Sequence, residues 1–212
     1  IFSPEYFETL SDIRMPASKL EILIKTLRKG IKEYSKTNQV ESKKFQEMLE
    51  KTIETYHQRR KVLTTQEAGE AQEVATQEII RSATEQALEI LRKMKESRES
   101  FRKLGLTFEE KAFYDILIAL RDEYNFEYGN DEKKDGIIVN EKCKKLAIKI
   151  KEIIDTQSSF ADWLNNQNVR DTLKFEIKVC LVSNGYPPQF SPKVFRKVMD
   201  QVENFEENKD ID

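Results

Sequence analysis

The residues best suited to acid-base chemistry are two adjacent carboxylates, Glu109 and Glu110, with a third at Asp115. Neighbouring carboxylates can act as general acid and general base. However, Glu110 stands three residues after Thr107, which is the spacing of a capping box, and both glutamates fall in the first turn of a predicted helix. Capping is therefore the favoured interpretation of the pair. Asp115 lies inside the same helix, beside Phe113, where it could pair with a partner from another helix, and a structural ion pair is favoured over a functional role.

Nucleophiles and metal ligands are scarce. His57 is the single histidine, and it stands beside a basic cluster with no nucleophile or metal partner near it. Cys143 and Cys180 are 37 positions apart on apolar helical faces, without a second Cys or His at ligand spacing. They are predicted to be buried free thiols in a reducing cytoplasm. With no Gly-rich phosphate loop either, the sequence predicts no catalytic residue, metal site or cofactor within this chain.

Two basic groups could follow the phosphates of a nucleic acid. The first ends a predicted helix and consists of Arg59, Arg60 and Lys61. The second is a row along a predicted long helix, made of Arg92, Lys95, Arg98, Arg102 and Lys103. Acidic residues interrupt the edge of this row, so a solvated face with local ion pairs is the favoured interpretation. Trp163 with Arg170 could stack on bases, although a Trp at this helical spacing is more often part of a core.

The elements that must position these residues are helices. Of the 212 residues, 38% are apolar and 35% are charged, and the chain has only 6 Gly and 5 Pro. This composition is typical of long amphipathic helices, so an all-α fold is predicted. The net charge of −2 is too small to indicate a nucleic-acid binder by itself. No apolar run approaches the roughly 18 residues of a membrane span, and nothing at the start resembles a signal peptide, so a cytoplasmic protein without membrane contact is predicted.

The N-terminal half, residues 1–104, is predicted to be a helical bundle arm that ends in one long helix. A short helix reaches about Ile13, and a second carries an apolar stripe and ends near Tyr34. A third begins at Glu41 and ends in the basic cluster. Residues 64–104 are rich in Glu, Gln, Ala and Arg and contain no proline. They are therefore expected to form a single helix of about 35 residues that leads into the second half.

The C-terminal half, residues 105–212, is predicted to be a second helical domain. Gly105 ends the long helix, and the next helix begins after Thr107. An exposed loop is expected at 125–136, followed by a helix from Ile138 to Ile154. A helix within 160–181 is ended by the glycine and prolines of 185–188, and a last helix begins at Ser191–Pro192 before a frayed tail at 206–212.

Several segments together resemble the C-terminal region of the R subunit of type I restriction-modification enzymes. The resemblance spans nearly the whole chain and lies in the order and spacing of its segments. In the C-terminal half these are LGLTFEEKAFYDIL at 104–117, WLNNQNVRDTLKFEIKVCL at 163–181, GYPP at 185–188 and VMDQVENF at 198–205. In the N-terminal half they are IFSPEYFETLSDIRMPASKLEILIKTLRKGI at 1–31 and YHQRR at 56–60, which look like the helical domain that follows the second motor domain of that subunit.

The resemblance implies a role in assembly. The parent subunit would be an ATP-driven DNA translocase and endonuclease, with its ATP and Mg sites in domains upstream of Ile1. This region would dock the motor subunit onto the methyltransferase core, made of modification and specificity subunits. It would also support duplex DNA binding, weakly and without sequence preference, through the two basic groups. Partner contacts are assigned to Trp163, Arg170, Lys174, Tyr186 and Phe190.

A different class of protein also fits the sequence. In that alternative the chain is a self-contained helical or coiled-coil interaction module without a restriction function, and residues 64–104 self-associate. The two interpretations differ in the expected mass. A coiled-coil dimer would show a mass that depends on concentration, whereas the R-subunit region is expected to be monomeric until the methyltransferase core is added.

Overall fold

The computed structural model describes residues 16–64, 70–134, 136–157 and 166–208. The predicted helix before Ile13, Trp163 and the end of the predicted tail lie outside these residues. Within them the chain forms seven helices and one β-hairpin, which confirms the all-α prediction. The helices are α1 (Pro16–Thr37), α2 (Gln39–Thr64), α3 (Glu70–Leu104), α4 (Phe108–Glu123), α5 (Glu141–Gln157), α6 (Gln167–Ser183) and α7 (Pro192–Asn208), and the strands are β1 (Asp131–Lys134) and β2 (Ile137–Asn140).

The chain divides into two compact units, and the first comprises Ile1–Tyr34 and Ser42–Arg98. Its core is formed by the apolar stripes of α1, α2 and α3 in the described residues. The Tyr34 ring packs edge-to-face on Phe45, with the ring centroids 5.5 Å apart, and its hydroxyl donates a hydrogen bond of 3.0 Å to the Met94 carbonyl. The long helix predicted between residues 64 and 104 is confirmed as α3, which has 35 residues.

The second unit comprises Ser35–Glu41 and Glu99–Asp212. Helix α4 packs against α5 and α7, and α5 also packs against α6. The centre of this unit contains the fully buried side chains of Phe113, Leu117, Ile150, Ile177 and Val198. Helix α7 continues to Asn208, and Glu206 on it is buried, so the part of the predicted frayed tail at 206–208 is helical instead.

The joint between α3 and α4 has the predicted capping chemistry. Gly105 adopts a left-handed φ of 63°, a conformation that glycine adopts without a steric penalty, and its N–H bonds the Arg102 carbonyl at 3.1 Å. The Thr107 side chain accepts a hydrogen bond from the Glu110 N–H at 3.1 Å, while the Glu110 carboxylate accepts one from the Thr107 N–H at 2.7 Å. This reciprocal pair is a capping box, and it starts α4.

The β-hairpin corrects the prediction for residues 125–140. The chain from Ile138 is not helical, because β2 pairs antiparallel with β1 and places Asp131 opposite Asn140. Asn140 is fully buried, and its amide donates to the Tyr128 carbonyl at 2.8 Å. Its Oδ1 accepts from the Cys143 N–H at 3.0 Å. Asn140 therefore caps α5, and the helix begins at the following residue, Glu141.

The short connection between α1 and α2 belongs to the second unit and is held by α7. The Gln201 side chain donates to the Thr37 carbonyl at 2.7 Å and accepts from the Gln39 N–H at 3.2 Å. One turn further along, Asn204 donates to the carbonyl of Ser35 at 2.8 Å. These side chains satisfy backbone groups that the two helix ends leave without partners. Across the described ranges, none of the helices has the length and apolar character that a membrane crossing requires.

Candidate interaction surfaces

Helix α6 is positioned by side chains at both of its ends. At its start, the Asn166 side chain accepts hydrogen bonds from the N–H groups of Asn168 and Val169 at 3.1 and 3.4 Å. At its end, Gly185 adopts a φ of 69° and the Tyr186 N–H bonds the Leu181 carbonyl at 2.9 Å. This closure directs the Tyr186 side chain into the core and fixes the direction in which the chain leaves α6.

The outer face of α6 carries large apolar side chains that are exposed to solvent. Phe175 is 66% exposed, Val179 46% and Val182 55%. Their spacing of four and three residues places them on one side of the helix, opposite the buried Leu173 and Ile177. We call Phe175, Val179 and Val182 the α6 stripe. An exposed apolar row of this kind is a candidate contact site.

A groove of about 290 Å³ runs between α6 and α7. Its apolar lining comes from both helices: Ile177, Leu181, Phe195 and Met199. Phe190, which is 65% exposed, lies in the connection between the helices, with its ring centroid 5.2 Å from that of Phe195. The groove and Phe190 thus form an apolar surface on the second unit.

Charged side chains surround this groove. Glu203 on α7 accepts from Lys174 at 2.9 Å and from Arg170 at 3.3 Å, so one carboxylate serves two cations. Burial alone would raise the pKa of Glu203, but the hydrogen bonds and charges of Lys174 and Arg170 outweigh it, so the pKa is lowered. Lys178 lies over the Phe190 ring, with Nζ 5.4 Å from the centroid, within the range of a cation–π contact. Arg170, Lys174 and Phe190, all assigned to partner contacts from the sequence, therefore lie beside this groove or line it.

Tyr186 differs from those three residues because it has no exposed surface. Its hydroxyl donates a hydrogen bond of 2.7 Å to the Leu117 carbonyl, and its ring packs edge-to-face on Tyr128 at 4.9 Å. The side chain stabilises the second unit and does not face solvent. Trp163, the remaining residue assigned to partner contacts, lies outside the described residues.

The basic cluster in the first unit is exposed at the end of α2, at Arg59, Arg60 and Lys61. One Arg60 N–H donates to the Tyr56 hydroxyl at 3.1 Å, which holds that guanidinium against the helix.

The basic row predicted along α3 is largely exposed. In the first unit, Arg92 forms an ion pair of 3.1 Å with Glu89, Lys95 is half-buried and Arg98 is exposed. In the second unit, Arg102 and Lys103 are exposed at the end of α3. The Arg102 guanidinium lies 5.6 Å from the centroid of the neighbouring Phe101 ring.

The side chains considered for catalysis take part in ion pairs or are at least partly buried. Glu109 forms an ion pair of 2.8 Å with Lys151. Asp115 forms the predicted structural ion pair, but its partner is Lys111 on its own helix and not a residue of another helix. Both cysteines are free thiols, and burial raises the pKa of Cys143 to about 12 and also raises that of Cys180. Thiols with raised pKa values are poor nucleophiles at neutral pH, because little thiolate is present.

Sequence reasoning missed the α6 stripe, although the sequence contains a signal for it. Helix α6 is apolar on two opposite faces, with Leu173 and Ile177 on one and Phe175 and Val179 on the other. A helix that packs against its own domain on one side requires a single apolar face. The second face is therefore the sequence signal for the exposed apolar row on α6.

The fold and its surfaces define a class of protein, an all-α region with solvent-facing apolar and basic side chains. Comparison with known proteins gives the family. Residues 1–208 match the family described as type I restriction enzyme HindI endonuclease subunit-like, C-terminal, and the chain belongs to this family. The resemblance stated from the sequence is thereby confirmed.

A relative in Methanocaldococcus jannaschii carries the provisional name of type I restriction enzyme MjaIXP endonuclease subunit. It is 26% identical to this chain over 185 residues, which cover 87% of the chain. The chain spans only 15% of the length of that relative. No solved structure matches the chain.

Proposed function

We propose that this region docks the endonuclease subunit onto the methyltransferase core of a type I restriction enzyme. The observation that carries the proposal is the α6 stripe, a row of large apolar side chains exposed on one helix face. Contact between an apolar row and water is unfavourable, so covering the row with a partner lowers the free energy. Family membership supports a partner within the restriction complex, since the matching family is a region of its endonuclease subunit.

Phe190 extends this surface and supports the proposal. Aromatic anchors with large exposed area contribute strongly to protein interfaces when a partner buries them. Phe190 contacts Phe195 and lies under Lys178, so its position is held before any partner arrives. A side chain that is already ordered loses less conformational entropy on binding.

The test is binding of the endonuclease subunit to a core assembled from modification and specificity subunits. In the subunit, Phe175, Val179 and Phe190 are replaced by Ser. We expect the Kd for the core to rise by at least about tenfold, since several apolar anchors are lost at once. Val74, which is also an exposed valine but lies on α3 in the first unit, is replaced by Ser as the matched control. Equal affinity of the triple variant and the control would refute this docking surface.

We further propose that the two basic groups support the binding of duplex DNA. The observation behind this proposal is the exposure of Arg59, Arg60 and Lys61 at the end of α2, which leaves three adjacent cations in contact with solvent. Cations in contact with phosphates release counterions, which makes binding weak at high salt and independent of sequence. Phosphate contacts from exposed cations carry no sequence information, so this cluster fits non-specific binding of a duplex better than recognition of a sequence.

Duplex binding is measured against salt for the wild-type subunit and for two variants. One replaces Arg59, Arg60 and Lys61 by Gln, and the other replaces Arg92, Lys95, Arg98 and Arg102 by Gln. Each lost phosphate contact should reduce the slope of log K against log salt by about 0.9. An unchanged slope for a variant would assign its residues to the solvated face of the helix.

The activity of the whole subunit is a separate part of the proposal. ATP-driven translocation and DNA cleavage, with ATP and Mg as cofactors, are proposed for the subunit as a whole. No group of three or more metal-binding side chains occurs in the part of the chain that the structure describes. The proposal places the ATP and Mg sites in other parts of the subunit and the subunit itself in the cytoplasm.

The alternative of a self-associating coiled coil is less well supported. The face of α3 that would pair with a second copy is already buried within the first unit at Ala83, Ala87, Ile90, Leu91 and Met94. A buried face is not available for a second interface. Sedimentation of the subunit without the core should show one mass at all concentrations, whereas a coiled coil would show a concentration-dependent dimer.

A further inference from the structure

The position of two lysines on α6 narrows the chemistry of the partner. At 100° per residue, Lys174 and Lys178 lie on the strip of helix between the groove and the α6 stripe. The groove side is lined by Ile177 and Leu181, and the stripe lies on the other side. A partner that covers both apolar strips must therefore also cover the lysines between them.

These cations exceed the carboxylates that could neutralise them. The groove is lined by Lys174, Lys178 and Arg196 against Asp200 and Glu203. Glu203 is also shared with Arg170. Neither Lys178 nor Arg196 forms an ion pair with a carboxylate in the ranges that the structure describes. Covering these cations with apolar or basic groups would cost free energy, because they would lose water without gaining a counter-charge.

We infer that the partner segment is acidic and apolar together. It places carboxylates over Lys178 and Arg196 and inserts a large apolar side chain into the groove between α6 and α7. The inference rests on the docking function proposed above and assigns this segment to the methyltransferase core. A groove of about 290 Å³ lies just below the range of ligand sites, about 300–1,000 Å³, so a side chain fits it better than a whole cofactor.

The combination of apolar and basic side chains excludes two other occupants of the same surface. Duplex DNA would satisfy the lysines but would leave Phe175 and Val182 facing a charged backbone with no apolar contact. A second copy of this chain, paired face to face, would bring a second row of lysines against Lys174 and Lys178. Juxtaposed like charges oppose association. An acidic and apolar protein segment is the occupant that satisfies both features.

The experiment measures the Kd of the endonuclease subunit for the methyltransferase core at several salt concentrations. Lys178 and Arg196 are replaced together by Gln and, separately, together by Glu. At low salt we expect the Gln variant to bind about tenfold more weakly, and the Glu variant more weakly still, because Gln removes and Glu reverses the attraction of these two positions to carboxylates of the partner. The difference should shrink at high salt, since Lys178 and Arg196 are exposed before the partner binds, and salt then screens their attraction of an acidic partner over about 10 Å at 0.1 M.

Lys133, an exposed lysine on β1, is replaced by Gln as the matched control and should leave the Kd unchanged. If the core binds the wild type but neither the Gln nor the Glu variant changes the Kd, the acidic partner is refuted and docking stands. If the core does not bind the wild-type subunit at all, the proposed function itself fails. A dimer of the subunit alone that dissociates when Val179 and Phe190 are replaced by Ser would instead assign the surface to a second copy and overturn the inference.

Discussion

The side-chain amide of Asn38 donates a hydrogen bond of 2.6 Å to the Asp115 carboxylate, although 77 positions separate the two residues. Asn38 is buried, and its Oδ1 also accepts a hydrogen bond of 3.0 Å from the Glu41 N–H. One side chain thus caps the start of α2 and ties that turn to α4 within the second unit. The contact joins two segments that no local sequence pattern relates.

Replacing Asn38 by Ala should lower the free energy of unfolding by about 2–4 kcal/mol, since a helix cap and a hydrogen bond to a charged group are lost together. Urea titration followed by circular dichroism measures the change. Asn168, whose side chain is exposed on α6, serves as the control when replaced by Ala and should shift the free energy by less than about 0.5 kcal/mol. Equal effects at the two positions would contradict the role of Asn38.

Replacing Asn38 by Asp tests the same contact through pH. Burial already raises the pKa of Asp115, while Lys111 opposes that effect. A second carboxylate at position 38 would raise the pKa of the pair further. An acid with a raised folded pKa stabilises the fold most at low pH and loses that contribution as pH rises through the folded value. The deficit in Tm relative to wild type should therefore be largest at pH 7 and narrow towards pH 4. A deficit that is independent of pH would exclude charge repulsion as its cause.

The ion pair of Lys111 with Asp115 should behave as a buried pair, because both side chains are largely shielded from water. Replacing Asp115 by Asn leaves the Lys111 ammonium buried without its counter-charge, which should cost about 3–5 kcal/mol. Replacing both residues, Lys111 by Met and Asp115 by Leu, removes the charge and should cost less than the single substitution. Chemical denaturation of both variants measures the difference. A double variant that is less stable than the single one would show that the pair itself is strongly stabilising.

Local signals explain why the start of α4 could be predicted and the hairpin could not. The capping box depends on two residues three positions apart, Thr107 and Glu110, so the sequence contains all of its chemistry. The hairpin depends on Asn140, whose buried amide bonds Tyr128 and Asp131 after the chain has folded back. Residues 131–134 are all charged and have low β propensity, so no local pattern indicates a strand.

The same argument applies to the candidate interaction surface. Arg170 and Lys174 stand in the segment at 163–181 that resembles the family, and Phe190 follows the segment at 185–188 by two residues, so the sequence offers all three as partner contacts. The groove needs α6 and α7 side by side, and that packing depends on contacts such as Arg170 with Glu203, 33 positions apart. The burial of Tyr186 also required the fold, since a GYPP segment by itself indicates an exposed turn.

Asp131 should make the second unit sensitive to acid. A hydrogen bond of 2.5 Å from Arg121 lowers the pKa of Asp131, and one from Asn140 acts in the same direction. A lowered folded pKa contributes stability above the unfolded pKa of about 3.9, and that contribution is lost as pH falls through the folded value. With Asp131 replaced by Asn, stability should be lower than wild type at pH 7, and the two should converge as pH falls below the lowered folded pKa of Asp131.

Measuring the Tm of wild type and of the Asp131 variant from pH 7 to pH 2 tests for this convergence. Glu127, an exposed carboxylate in the segment before β1, is replaced by Gln as the control, and its curve should run parallel to that of wild type. If the Asp131 variant runs parallel to wild type as well, the contact with Arg121 does not contribute to acid sensitivity.

The Phe113 ring lies fully buried at the centre of the second unit and packs edge-to-face on Phe205, with the centroids 5.5 Å apart. Replacing Phe113 by Ala should cost about 3–5 kcal/mol, because a large cavity remains. Leu at the same position keeps most of the volume and should cost less than about 1.5 kcal/mol. A double-mutant cycle with Phe205 should give a coupling of about 0.5–1.5 kcal/mol. Additive effects would mean that the two rings do not interact in solution.

Tyr186 and Phe190 stand four residues apart, one without exposed surface and the other 65% exposed, and they allow folding and docking to be separated. Replacing Tyr186 by Phe removes the hydrogen bond to Leu117 and should cost about 1 kcal/mol of unfolding free energy. Replacing Phe190 by Ala should change the unfolding free energy by less than about 0.5 kcal/mol and still weaken binding to the methyltransferase core. Thermal melting and core binding are measured on both variants. The Tyr186 variant should lose stability and keep its affinity for the core, because its side chain does not reach the surface. If the Phe190 variant melts at a lower temperature and binds the core normally, Phe190 serves the fold and the docking surface lies elsewhere.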